Sequence, residues 1–178
     1  MRLKSNARSC VLIASLAIFA AVAPTLAKEK ETSQPAGKKS LGGSGEMIRF
    51  SLPAEGGKVV GLKIHGSRYG AAQAPDEKFV IDFLSPDMTE VLHTELAPYS
   101  LFERGEEKWV EVKFRKTVDI PTKEVWVAVD FRAGRTKGVY VSYDGSTDGK
   151  KSRVGLPGLE AKQPDFAGDW MIELTPPP

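Results

Sequence analysis

Short runs of alternating apolar and polar residues, separated by turn residues, recur through most of this chain. Every second residue is apolar in residues 48–52 and again in residues 60–64. A period of two places the apolar side chains on one face of an extended strand. No stretch of helical length has helical spacing, and residues 98–104 allow one helical turn at most. The pattern therefore predicts strands joined by turns and excludes a helical fold.

Eight strong strands are predicted, together with a weaker ninth at residues 118–120 or 153–156. The strong strands lie at residues 48–52, 59–65, 79–83, 91–96, 110–114, 125–131, 139–143 and 170–174. Many short strands, each with one apolar face, are typical of an all-β fold in which two sheets pack face to face. We therefore expect an all-β, two-sheet antiparallel β-sandwich of eight or nine strands with jelly-roll-like connections.

The N-terminal end has the composition of a secretory signal peptide. Arg2, Lys4 and Arg8 precede a mostly apolar run at residues 11–23, and residues 25–27 offer small side chains to a signal peptidase. This apolar run is shorter than the roughly 20 residues that a membrane-spanning helix needs. The sequence predicts an extracytoplasmic protein, periplasmic or secreted, with no membrane span after cleavage. If the signal is not cleaved, it would instead anchor the chain.

Cleavage after Ala27 would remove the one cysteine, Cys10, and three basic residues. The remaining 151 residues carry 22 basic and 23 acidic side chains, so their net charge is near −1. A domain of this length can be held together by its core without disulfides. A nearly neutral chain lacks the concentrated basic face of a nucleic-acid-binding protein.

Composition divides the chain into four segments. Residues after the signal are rich in Lys, Glu, Ser, Gly and Pro and contain one large apolar residue, Leu41, which predicts a disordered segment. The predicted organisation is a signal peptide at 1–27, a disordered polar linker at 28–46, a β-sandwich domain at 47–175 and a C-terminal tail at 176–178.

Several glycine-rich segments resemble parts of a known β-sandwich module. They are GSRYG, APYSLFERG, GVYVSYD, SRVGLPG and GDWMIEL, at residues 66–70, 97–105, 138–144, 152–158 and 168–174. Together they resemble a jelly-roll-like β-sandwich module that recurs in exported and multidomain proteins of environmental bacteria, and the resemblance covers most of residues 47–175. That module has no established activity. The resemblance therefore implies a fold and an exported setting, and no catalytic residue.

The sequence offers little support for catalysis. The only histidines, His65 and His93, have no zinc-ligand spacing. Ser67 follows His65 closely, but its surroundings are not those of a nucleophile elbow. Glutamates 103, 106 and 107 cluster in one loop, where a solvated turn is the ordinary explanation. We predict a protein that is not an enzyme and uses no cofactor.

A calcium loop is a weaker hypothesis. Asp144, Ser146 and Asp148 place oxygen donors at alternate positions, as in the first half of a calcium-binding loop. Gly155 stands where the loop would need a bidentate glutamate. The alternative is a plain turn, which favours the same residue types.

A binding surface has a clearer physical basis than catalysis or calcium binding. If the valines of residues 110–114 and 125–129 face the core, then Trp109, Trp126, Tyr140 and Asp130 face outward. Exposed aromatic rings beside a carboxylate could stack on sugar rings or contact a partner protein. The alternatives are a long loop, such as residues 66–78, that covers these rings, or a bulge that reverses the two faces.

The turn at residues 66–70 is a second candidate binding segment. Arg68 and Tyr69 lie between glycines and would project at one end of the sandwich. A structural tyrosine packed against the sheet edge is the alternative. Basic residues near 132–137 and 150–153 are expected at opposite ends of the fold, with no single anion-binding patch.

The sequence therefore predicts an exported, non-catalytic binding module. Its ligand would be an extracellular or envelope polymer, such as a carbohydrate. A protein-protein interaction or scaffolding domain of the cell envelope is the alternative, and a hydrolase is a distant third.

Overall fold

Strands make up most of the described residues, 34–53 and 56–178, of the computed structural model. The strands are β1 (Gly37–Lys39), β2 (Gly45–Ser51), β3 (Gly57–Gly70), β4 (Lys78–Leu84), β5 (Val91–Pro98), β6 (Lys108–Ile120), β7 (Glu124–Asp130), β8 (Lys137–Asp144), β9 (Ser152–Gly155), β10 (Asp169–Trp170) and β11 (Ile172–Thr175). Tyr99–Leu101 forms one turn of 3-10 helix. The predicted signal peptide lies outside the described residues, and none of the described residues belongs to a helix long and apolar enough to cross a membrane.

The strands form two antiparallel sheets. The six-stranded sheet has the order β1-β8-β3-β11, with β10 also paired to β8 and β6 to β3. The five-stranded sheet has the order β5-β4-β7-β2-β9. The chain passes between the sheets at most of its turns instead of running up and down within one. The predicted all-β, two-sheet antiparallel sandwich is confirmed.

The core lies between the inner faces of the two sheets. Val125, Val127 and Val129 alternate along β7 and are completely buried, as the period of two predicts. Aromatic rings fill one end of this core, where the rings of Phe79 and Phe131 lie 4.8 Å apart. Burying side chains of this size contributes roughly 1.5–3 kcal/mol each, which explains how the fold stands without a disulfide.

The structure differs from the predicted strands in the weak ninth strand and in the last strand. Both positions considered for a ninth strand are extended, the first at the end of β6 and the second in β9. The predicted strand at 170–174 is split at Met171, whose N–H donates to the Ser142 carbonyl of β8. The Met171 carbonyl accepts from the N–H of His65 in β3. Met171 therefore lies where the chain stops pairing with β8, as β10, and begins pairing with β3, as β11.

The predicted linker is wrong from Gly37 onward. Gly37 lies opposite Tyr143 in the pairing of β1 with β8, and Leu41 packs against the core. A Cβ atom on Gly37 would lie 2.4 Å from the Tyr143 hydroxyl oxygen, so a larger residue here would have to displace that side chain. Backbone pairing at a sheet edge does not require an apolar side chain, which is why composition did not reveal this strand.

Strand β5 is an edge of the five-stranded sheet and has three irregular features. Its register with β4 shifts between Phe83 and Leu84. Glu95 lies opposite Ile81, which is buried in the core, so its carboxylate is on the inner side of the sheet. The Glu95 carboxylate contacts His93 Nε2 at 2.9 Å. Pro98, which has no N–H, ends the strand.

A carboxyl group is buried at the beginning of β2. Glu46 is 1% exposed and lies on the inner face, two residues before the core residue Ile48. Burial raises its pKa well above the usual 4.5, and the nearby Asp130 carboxylate adds to the rise. The N–H groups of Glu46 and Leu41 donate to this carboxyl group and oppose the shift. The fold therefore favours the neutral acid at this position.

We expect this carboxyl group to make the wild-type domain less stable as the pH rises. The unfolded chain ionises Glu46 near pH 4.5, whereas the folded chain does so at a higher pH. Above pH 4.5 the unfolded state therefore releases a proton that the folded state retains, and the free energy of unfolding falls until the folded pKa is passed. Glu46→Gln should remove this loss of stability.

Urea unfolding at a series of pH values measures the effect. Glu106→Gln, at an exposed position, is the matched control and should keep the wild-type pH dependence. The expectation is wrong if Glu46→Gln shows the same fall in stability with pH as the wild-type protein.

Candidate functional site

The outer face of the six-stranded sheet brings aromatic, charged and hydroxyl side chains together. Ile64, Val110 and Val141 are buried in the core, so the residues that alternate with them along β3, β6 and β8 point away from it. Strand β1 and the loop before β6 add one charged residue each. We call this set the outer-face cluster: Lys38, His65, Ser67, Tyr69, Glu107, Trp109, Tyr140 and Ser142.

Trp109 is the most exposed aromatic ring of the outer-face cluster. It lies opposite His65 in the pairing of β6 with β3, and 38% of the residue is exposed. The two ring centroids are 5.2 Å apart at an interplanar angle of 77°. This edge-to-face contact holds the indole in place while leaving part of its surface accessible.

Two tyrosines form the other aromatic part of the cluster. The rings of Tyr69 and Tyr140 have centroids 4.7 Å apart. The Tyr69 hydroxyl donates to the Gly134 carbonyl at 2.9 Å and accepts from Ser40 Oγ at 3.2 Å. A Cβ atom on Gly138 would lie 2.3 Å from the Tyr69 hydroxyl oxygen, so this glycine makes room for the ring. The pair is therefore fixed on the sheet surface.

An ion pair lies beside the Tyr140 ring of the cluster. The Lys38 ammonium group binds the Glu107 carboxylate and lies 5.1 Å from the Tyr140 ring centroid. Ser67 Oγ donates to the same carboxylate oxygen at 2.9 Å. These hydrogen bonds lower the pKa of Glu107 and keep it ionised, and the bond from Lys38 contributes most. The cluster therefore presents both charges beside its rings.

The geometry does not arrange His65 as a base for Ser67. His65 Nδ1 lies 2.8 Å from Ser142 Oγ, whereas the Ser67 hydroxyl is bonded to Glu107. Both serines are buried, so their hydroxyls are poorly placed to attack a substrate. Burial lowers the pKa of His65, and the Glu107 carboxylate opposes that shift. These contacts are suited to fixing the sheet surface.

Trp126 is not part of this surface. It lies on β7 of the five-stranded sheet, is 4% exposed, and packs with Met47 and Leu84 beneath Met88 and Ala161. The predicted exposure of this indole is wrong, because Met88 and Ala161, from the loops after β4 and β9, cover it. A covering loop was the sequence alternative, although these loops are not residues 66–78.

Asp130 is also separated from Trp109 and Tyr140. It ends β7, and its carboxylate accepts the Arg132 N–H at 2.7 Å. All four outward residues could form one surface only if residues 110–114 and 125–131 belonged to the same sheet. These segments are β6 and β7, which belong to different sheets. Trp109 and Tyr140 remain together, and Asp130 and Trp126 do not join them.

The predicted projecting turn at residues 66–70 is instead the end of β3. Tyr69 joins the outer-face cluster, whereas Arg68 alternates to the inner side and is mostly buried. The Arg68 guanidinium donates to the Ala71 carbonyl at 2.6 Å and to the Ala72 carbonyl. The expectation that Arg68 projects toward a ligand is therefore wrong, and its visible role is to hold the turn after β3.

The residues of the calcium hypothesis form local turns. Asp144 Oδ1 accepts the Ser146 N–H at 2.8 Å and the Ser146 hydroxyl at 2.6 Å. Asp148 pairs with the Lys150 ammonium group at 2.8 Å. In the described part of the chain, no three His, Cys, Asp or Glu side chains are grouped to hold a metal ion. The local hydrogen bonds favour the plain turn, and the calcium hypothesis stays a prediction.

No family model, curated protein or solved structure matches the chain. The resemblance of its glycine-rich segments to a bacterial β-sandwich module therefore stays a prediction.

Sequence reasoning missed Lys38, which it assigned to the linker, and it gave Glu107 no role beyond a solvated loop. The alternation of His65, Ser67 and Tyr69 along one strand was the available signal for a shared face.

Proposed function

We propose that this protein is an exported, non-catalytic binding domain that recognises an extracellular or envelope carbohydrate polymer. The observation that carries the proposal is the partly exposed Trp109 indole beside an ion pair and a tyrosine pair on one sheet face. An aromatic ring offers a flat apolar surface to the C–H face of a sugar. Neighbouring polar groups can bind the sugar hydroxyls.

The spacing of the rings suits an extended ligand. Trp109 and Tyr140 lie on either side of β3, opposite His65 and Ser67 respectively. Two strand spacings and a two-residue offset separate their Cα atoms by about 12 Å. A short oligosaccharide could contact both rings and also the Lys38–Glu107 pair, which lies beside Tyr140. The contacts of Trp109 with His65 and of Tyr69 with Tyr140 would limit the entropy lost on binding.

Trp109→Ala should weaken binding of a polysaccharide at least tenfold, because a central aromatic anchor contributes about 2 kcal/mol or more. The measurement is electrophoretic retardation in native gels containing a panel of soluble neutral polysaccharides, with dissociation constants taken from the concentration dependence. Leu96→Ala removes an apolar side chain that is 53% exposed on the five-stranded sheet, and it should bind as the wild-type protein does. Equal retardation of Trp109→Ala and wild-type protein would contradict the proposal.

A further inference from the structure

Three basic residues lie close together on the outer face of the five-stranded sheet. The Arg49 N–H of β2 donates to the Lys151 carbonyl at 2.8 Å, so these two residues are directly opposite. Arg153 follows two residues later and lies opposite Met47, on the same face as Arg49. We call Arg49, Lys151 and Arg153 the basic cluster. Its members come from segments distant in sequence.

The two guanidinium groups of the basic cluster share one aromatic neighbour. The Cζ atoms of Arg49 and Arg153 each lie 5.7 Å from the ring centroid of Trp126. Arg153 Nη1 also donates to the Ser152 carbonyl at 2.6 Å. Trp126 is itself 4% exposed and packs in its small core. The contact with one buried ring therefore brings the two guanidinium groups to the same place on the sheet.

The positive charge of the basic cluster is incompletely neutralised. Arg49 has one carboxylate at the limit of ion-pair distance, that of Glu124 at 3.9 Å. Lys150, next to the cluster, is already paired with Asp148. In the described part of the chain, neither Lys151 nor Arg153 forms a side-chain ion pair, although the Asp148 carboxylate also interacts with the charge of Lys151 and Asp169 Oδ1 accepts the Lys151 N–H at 3.0 Å. Like charges directly opposite in a sheet destabilise it, so the arrangement has a cost that an anion would offset.

We propose that the basic cluster binds an oxyanion: a sulfate, phosphate or carboxylate group. Guanidinium groups donate pairs of parallel N–H bonds that match the oxygens of these anions, and Lys151 would add a compact charge. The site lies on a different sheet from the outer-face cluster and does not depend on carbohydrate binding there. The anion could be free in solution or carried by an acidic polymer.

Sulfate titration followed by melting temperature tests the site. Sulfate stabilises proteins generally, so the specific effect is the difference between wild-type protein and Arg153→Gln at equal ionic strength. We expect a saturable rise in melting temperature for the wild-type protein, and an apparent dissociation constant at least about tenfold weaker in Arg49→Gln and Arg153→Gln, as loss of a charge-assisted hydrogen bond implies. Arg115→Gln, at an exposed position on β6, is the matched control and should respond as wild type.

Two further comparisons make the result specific. Lys151→Gln should respond less to sulfate than the wild-type protein, because one charge of the cluster is removed. Trp109→Ala should respond to sulfate as the wild-type protein does, which separates this site from the proposed carbohydrate surface. The proposal is overturned if Arg153→Gln and wild-type protein respond equally, or if sulfate acts no differently from chloride at equal ionic strength.

A charged and an uncharged polymer distinguish a free oxyanion from one carried on a polymer. Dextran sulfate and uncharged dextran are compared by native-gel retardation of wild-type protein, Arg153→Gln and Arg115→Gln. Retardation by dextran sulfate that Arg153→Gln loses and Arg115→Gln keeps supports a polymer-borne anion. Sulfate binding without such retardation supports a free oxyanion. A response to neither probe overturns the site.

Discussion

Trp126→Ala is expected to lower the free energy of unfolding by about 3–5 kcal/mol, the usual cost of removing a buried tryptophan. The indole is 4% exposed and fills the small core formed with Met47, Leu84 and Ala128. Its loss leaves a cavity between the sheet and the loop that carries Met88. Guanidinium unfolding followed by circular dichroism measures the change.

Trp109→Ala is the matched control, because the same side chain is removed from an exposed position. Trp109 loses its contact with His65 and a partly covered surface, so we expect a cost of about 1 kcal/mol. Similar losses of stability in the two variants would contradict the assignment of one indole to a core and the other to a surface. A small loss of stability in Trp109→Ala would also show that its weaker polysaccharide binding does not come from unfolding.

Gly168→Ala should destabilise the domain by about 2–6 kcal/mol, from backbone strain and a steric clash together. Gly168 has a φ angle of +121°, and an added Cβ atom would lie 2.1 Å from the Asp144 carbonyl oxygen. That oxygen belongs to the backbone of β8 and cannot rotate away as a side chain can. The junction between β8 and β10 must therefore shift. The free energy of unfolding, again from denaturant titration, is the measurement.

Gly105→Ala separates the two causes. Gly105 has a similar φ angle of +113°, but an added Cβ atom would meet nothing within 4 Å. It should therefore cost only the strain of the backbone conformation, about 1–3 kcal/mol. If Gly105→Ala costs as much as Gly168→Ala, the close approach to Asp144 contributes nothing to the requirement for glycine.

The fold could be predicted because period-two alternation reports a local property, the face on which each side chain lies. The inner valines of β7 and the outward Trp109 follow directly from it. Strand pairing is not local. Trp109 and Trp126 occupy equivalent outward positions on successive strands, yet they are on different sheets, because the chain crosses the sandwich between β6 and β7. No periodicity within either strand records that crossing.

Other parts of the candidate site could not be predicted because backbone contacts position them. Lys38 reaches the outer-face cluster through β1, which pairs with β8 by main-chain hydrogen bonds within a polar segment. Arg49 meets Lys151 across a pairing of residues about 100 positions apart. The sequence shows several cations near residue 151, but it does not show that β2 places Arg49 beside them.

Strand β5 bears on how the domain behaves in the presence of many copies of itself. An exposed sheet edge is a template on which another polypeptide can add a strand, and such addition leads to aggregation. The shifted register, the inward Glu95 carboxylate and Pro98 each disfavour that addition at this edge. This edge of the five-stranded sheet therefore resists the strand addition from which fibrils grow, even where many copies of the domain are crowded together.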